Sequence, residues 1–135
     1  MALGINTTTR SAMVDAITSR AGASAILRVY DGSRPATGGA VTTLLAALTC
    51  NASAFAPAAS SGVLTLNAIT PQLSAAASGT ATWFRIVASN GSTHVLDGSV
   101  STVIAGTGDL QFDTTTVTLG GTVSISNATI TAGNP

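Results

Sequence analysis

The chain has 135 residues, and only 7% of them are charged: five arginines and five aspartates, with no lysine or glutamate and a formal net charge of zero. A soluble domain is ordinarily about a quarter charged, so Thr, Ser, Asn, Gly and Ala must cover most of this surface, and the mean hydropathy is +0.48. The arginines (10, 20, 28, 34 and 85) are scattered. This excludes the basic stripe that nucleic acid requires, and no apolar run approaches the roughly 18 to 20 residues of a membrane span.

One domain with one core is expected at this length, thin and aliphatic because the aromatics number three Phe, one Tyr and one Trp. Met1 to Thr9 has neither a positive n-region nor an apolar h-region, so no secretory signal is expected. Residues 1–8, polar and unpatterned, are read as an N-terminal arm ordered only on a partner, with a single folded domain over 9–135. A helix is predicted over 9–20. Thr8 and Thr9 supply its cap, Met13, Ala16 and Ile17 its apolar stripe, and Gly22 its C-terminal stop.

After Gly22 the period falls from 3.6 to 2. Ala25–Tyr30 reads as a strand stopped by Asp31-Gly32, residues 33–39 as a loop, and Val41–Cys50 as a second strand. Residues 51–61 form a small-residue loop anchored by Phe55, Val63–Ile69 is a strand ended by Pro71, and Ser74–Ser78 bridges onward. The strongest pairing signal is 81–89, Asn90-Gly91, then 92–97. It predicts a two-residue type I′ hairpin with Phe84 opposite Asp97, Ile86 opposite Val95 and Val87 opposite His94. Apolar residues on both faces make 83–87 a central strand.

Short apolar runs follow at 100–104, 110–112 and 117–119. In the last strand Ile130 is out of phase with Val123 and Ile125, which predicts a β-bulge near Asn127. Segments 62–70 and 121–131 echo each other as similar inward-facing strands. Strands at this spacing give an all-β fold, an antiparallel, jelly-roll-like β-sandwich with one short N-terminal helix.

The chemical stock is one His, five Asp, one Tyr and one Cys. His94 and Asp97 are expected on opposite faces of one strand, which disfavours a Ser-His-Asp arrangement. Zinc is excluded by ligand count, and Asp109 and Asp113 are read as turn residues rather than calcium ligands. Gly38-Gly39 and Gly120-Gly121 lack the lysine and helix of a phosphate loop and read as turns. Cys50 is read as a buried apolar residue of a chain made in a reducing cytoplasm. Trp83 is the candidate exposed aromatic contact, a sugar-stacking platform in one reading, with core or interface packing the preferred account. No catalytic residue, metal or cofactor is expected, and the chain is not read as an enzyme.

Three segments, Val29–Pro35, Gly79–Val87 leading into Asp97–Val100, and Gly121–Ser126, together with the opening helix, resemble small virion structural proteins of tailed bacteriophages. The resemblance implies a capsid decoration or cement protein on the outside of the head, a homo-oligomer with a trimer favoured. Its partner would be the major capsid protein, and its location the virion after synthesis in the host cytoplasm. Ile5, Asn6, Thr7, Thr8 and Arg10, in and beside the arm, are the expected contact residues. A tail, neck or fibre component and a carbohydrate-binding module are the alternatives.

Overall fold

A computed structural model describes residues 4–55, 62–125 and 127–131. The chain opens with helix α1 (Thr7–Ala21). Asn6 caps it by accepting the Thr8 N–H on its side-chain oxygen at 2.9 Å, so the helix starts two residues earlier than the threonines suggested and takes in the last two residues of the expected arm. Asn is the stronger cap. Its buried face is Val14 and Ala21, with Ile17 packed against the core, whereas Met13 is 52% exposed. The expected stripe of Met13, Ala16 and Ile17 is therefore corrected: apolar residues wrap much of this helix, and the face spaced at i, i+3 and i+7 is the one that docks.

Among the described residues nine strands follow: β1 (Ile26–Tyr30), β2 (Leu44–Thr49), β3 (Val63–Thr65), β4 (Gly79–Thr80), β5 (Trp83–Val87), β6 (His94–Thr102), β7 (Leu110–Phe112), β8 (Thr116–Val117) and β9 (Asn127–Thr131). Seven make one mixed sheet in the order β2-β1-β5-β6-β7-β9-β3, and β4 pairs with β8 in a separate two-stranded ladder. The fold is thus mostly β with one helix. It is not purely antiparallel, because β6 and β7 run parallel.

Parallel neighbours usually need a long crossover, but here the connection is 103–109. It is short enough because β7 pairs only with the last three residues of β6, and because the returning chain passes directly over that strand at Gly108. A Cβ there would lie 2.6 Å from the Ser101 nitrogen, so only glycine permits the crossing.

As expected, β5 is central, between β1 and β6, and all five of its residues are buried. Leu27, Val29, Leu45, Leu64, Phe84, Ile86 and Leu110 form the core with Phe55, the anchor of the loop that follows β2. Leaving β2, the chain bridges Phe55 to Leu66, just after β3, so the two ends of the sheet approach each other. The free edge of β2 is covered instead of left open to pairing: Leu45 O accepts the Ala76 N–H at 2.8 Å, and the Gln72 side chain accepts the Ala47 N–H at 2.7 Å. The two echoing segments are neighbours, β3 pairing antiparallel with β9. The bulge expected near Asn127 involves Ser126, which lies outside the described residues.

The hairpin differs from expectation in its turn. Ala88 N–H bonds to Thr93 O and Gly91 N–H to Ala88 O, and among the described residues only Ser24 has a positive φ without being glycine. A type I′ turn needs positive φ at both Asn90 and Gly91, and Gly91 alone has it. Asn90 instead uses its side-chain oxygen to accept the Ser92 and Thr93 N–H groups at 3.0 and 2.9 Å, stabilising a longer loop. Val87 does pair with His94, but Ile86 then pairs with Leu96, Arg85 with Asp97 and Phe84 with Gly98. One extra residue on β6, a bulge at Val95, moves every later pairing by one place.

Candidate functional site

That bulge assembles a dense polar cluster around Asp97. Without it His94 and Asp97 would face opposite ways. With it, His94 Nε2 lies 3.2 Å from Asp97 Oδ1, so the expectation that they diverge is corrected. The signal available in the sequence was the consecutive pair Val95-Leu96, which breaks the alternation between two polar residues.

The cluster lies on the face of β1, β5 and β6 that points away from the core. Tyr30 and Trp83 are cross-strand partners and stack with centroids 4.4 Å apart and planes 15° from parallel. The Arg85 guanidinium carbon sits 5.4 Å from the Trp83 ring centroid, within cation–π range. Arg85 grips Asp97 with two bonds, Nε to Oδ1 at 2.6 Å and Nη2 to Oδ2 at 2.9 Å, the bidentate geometry that only arginine offers.

The chain between β1 and β2, residues 31–43, straps across this face. Gly38 donates its N–H to Asp97 Oδ2 at 3.0 Å, and Gly39 O accepts from Arg85 Nη2 at 3.0 Å. Trp83 Nε1 donates to Asp31 O and Thr42 Oγ1, both at 3.0 Å. Thr42 Oγ1 in turn donates to Asp31 O, and Asp31 Oδ1 accepts the Thr43 N–H at 3.1 Å. The strap is thus held by directional bonds to a rigid central strand. Gly38-Gly39, which the sequence marks only as a turn, is the point of attachment.

Burial by itself would raise the Asp97 carboxyl, but the bonds from Arg85, Gly38 and His94 and the Arg85 charge outweigh it and bring it down to about 2. The bond to Asp97 likewise raises Arg85, against the opposing effect of burial. A carboxylate with three donors at or within 3.0 Å and so low a proton affinity is a strut rather than a general base. Burial pushes the Cys50 thiol up to about 11, partly offset by a backbone bond from Leu27, which makes it unreactive.

The other face of the same strands lies under α1. There a cavity of about 170 Å³ is bounded by Ile17, Phe84, Leu96, Gly98, Asp109 and Ile130, with Asp97 contributing to its wall. On one side of it Gly98, opposite Phe84, lets the Phe84 ring lie directly against the β6 backbone. A Cβ there would lie 2.4 Å from the Phe84 ring and 3.2 Å from Asp109 Oδ2.

Among the expected site residues, Ile5, Asn6, Thr7, Thr8 and Arg10 gather at the start of α1, where Thr7 and Thr8 are exposed and Ser11 Oγ accepts the Gly62 N–H at 3.1 Å. Trp83 does not join them. It is 1% exposed, roofed by the strap with its only donor satisfied, so the exposed aromatic contact is corrected: the ring is packing, not a platform. Asp109 accepts from Ser99 N–H and Oγ through Oδ2, each at 2.9 Å. Among the described residues no three His, Cys, Asp or Glu side chains are placed to hold a metal ion, and no helix is long and apolar enough to cross a membrane.

No protein-family model, no curated protein and no solved structure matches the chain.

Proposed function

We propose that this is a virion structural protein, a capsid decoration protein that coats the outside of a phage head as a homo-oligomer, a trimer by preference, and ties neighbouring major capsid subunits together. The observation that supports this most is where the molecule spends its few charges. Arg85 and Asp97 are turned into the strap, while Leu73, Leu119 and Ile104 are left 77%, 65% and 97% exposed. An exterior with few ions and apolar tips associates at small desolvation cost, and many copies on a lattice multiply weak contacts.

The reading takes the seven-stranded sheet and the β4–β8 ladder as two layers of a jelly-roll-like sandwich, with Gly79 of β4 lying against Leu45 of β2. It also assigns Ile5, Asn6, Thr7, Thr8 and Arg10, at the start of α1, to the contact with the capsid.

Mixing the purified protein with phage heads that lack it, then imaging the particles and counting copies, tests the proposal. Density repeating with the capsid lattice, lost when residues 2–5 are removed while the Asn6 cap is spared, is the expected result. Density at a few copies on the tail or neck, or none on the particle, overturns it.

A further inference from the structure

We propose that the cavity between α1 and β6 is a binding site for a single ring carrying a cationic amine, with the ring under Ile17 and the ammonium on Asp109. Three observations converge on it. The first is size: about 170 Å³ slightly exceeds the roughly 150 Å³ of an engineered apolar cavity that stays dry and takes up benzene.

The second is the lining. Ile17, Leu96 and Ile130 are each only partly buried although they belong to three different elements, α1, β6 and β9, that converge here. Large aliphatic side chains left half-covered around a common space are surface that a ligand would remove from water, at about 25 cal/mol per Å². Gly98 and the Phe84 ring packed against it form one wall.

The third is the rim. Asp109 is oriented rather than loose: its N–H donates to Ser99 Oγ at 3.2 Å, and Oδ2 receives both the backbone N–H and the hydroxyl of Ser99. Those bonds use one oxygen. Among the described residues no donor reaches Oδ1, and Oδ2 lies beside Gly98 at the edge of the cavity. An oriented carboxylate beside an apolar hole selects an apolar body with one positive donor, because an anion would be repelled and a neutral ring would gain only the burial term.

Benzylamine is the probe, with toluene and benzoate as controls. In a titration followed by NMR of the full chain, benzylamine is expected to shift the signals of Ile17, Leu96 and Ile130 with a millimolar or tighter Kd. Toluene should bind several-fold more weakly, and benzoate not at all. Asp109→Asn keeps an oxygen for Ser99 and so spares the fold, which an unchanged Tm would verify; it should weaken benzylamine at least about 5-fold and leave toluene unchanged. Ile17→Phe fills the space and should abolish both. Shifts located elsewhere, no shifts at all, or benzylamine binding indifferent to Asp109→Asn would overturn the site. None of these outcomes depends on whether the protein coats a particle.

Discussion

The two faces of the β1–β5–β6 sheet are closed by different physics. The strapped face is sealed by direction: Trp83, Arg85 and Asp97 each place a polar atom on residues 31–43, and the ring stack beneath them leaves little room. The helix face is sealed mostly by area, through Val14, Ile17 and Ala21, with Arg20 Nε adding a bond to His94 O at 3.2 Å, and the seal is incomplete at the cavity bordered by Ile17, Leu96 and Ile130. Hydrogen-bonded closure tolerates no missing partner, whereas closure by apolar contact tolerates a hole of about 170 Å³. A break on the first face should therefore propagate, and a break on the second should stay local.

The largest expected effect is the loss of one ionic partner. Arg85 is 8% exposed, and Arg85→Ala leaves the Asp97 carboxylate enclosed without its cation, at a cost of about 3–5 kcal/mol. Replacing both residues, Arg85→Met with Asp97→Leu, removes the stranded charge together with the pair and should recover much of that loss. Urea denaturation of the parent chain and these two variants checks this. A double variant as unstable as Arg85→Ala would mean that the strap bonds of Gly38 and Gly39, not the enclosed charge, dominate.

The strapped face should also respond to acid. The Asp97 carboxyl lies at about 2 in the fold against 3.8 when free. The folded state therefore binds its proton less readily than the unfolded chain. Its contribution is complete above the free value and disappears as pH falls through the folded one, a loss of about 2 kcal/mol. Equilibrium denaturation between pH 5 and pH 2 should show this component in the parent chain and lack it in the Arg85→Met, Asp97→Leu variant. Parallel curves for the two would show that the acid response arises elsewhere.

The contrast between faces also separates what the sequence discloses from what it hides. Alternation and turn residues locate β1, β2, β5 and the hairpin, and the two-sided apolar character of 83–87 correctly makes that strand central. These are local properties of period and propensity. The site depends on phase: a single bulged residue at Val95 turns Asp97 toward Arg85 and His94, and Asn90 holds the loop with its side chain where Asn-Gly suggested a tighter turn. The strap is hidden for a related reason. Nothing in residues 31–43 beyond the Gly38-Gly39 pair announces that its backbone will meet a guanidinium and a carboxylate from strands about fifty residues away. Parallel pairing of β6 and β7 is equally unreadable, because it rests on one close crossing at Gly108.

The smallest expected effect falls on the helix face. A fully packed aliphatic residue cut to alanine costs about 2–5 kcal/mol, because its contacts are lost and a hole is left behind. Leu27, fully buried on β1, should behave this way. Ile17 already borders empty space and is only partly covered, so Ile17→Ala enlarges an opening rather than creating one and should cost about 1 kcal/mol. Thermal or urea unfolding of Leu27→Ala beside Ile17→Ala measures the difference. Equal losses would mean that the helix is pressed onto the sheet as tightly as the core strands are, which would close the cavity and remove the distinction between the two faces.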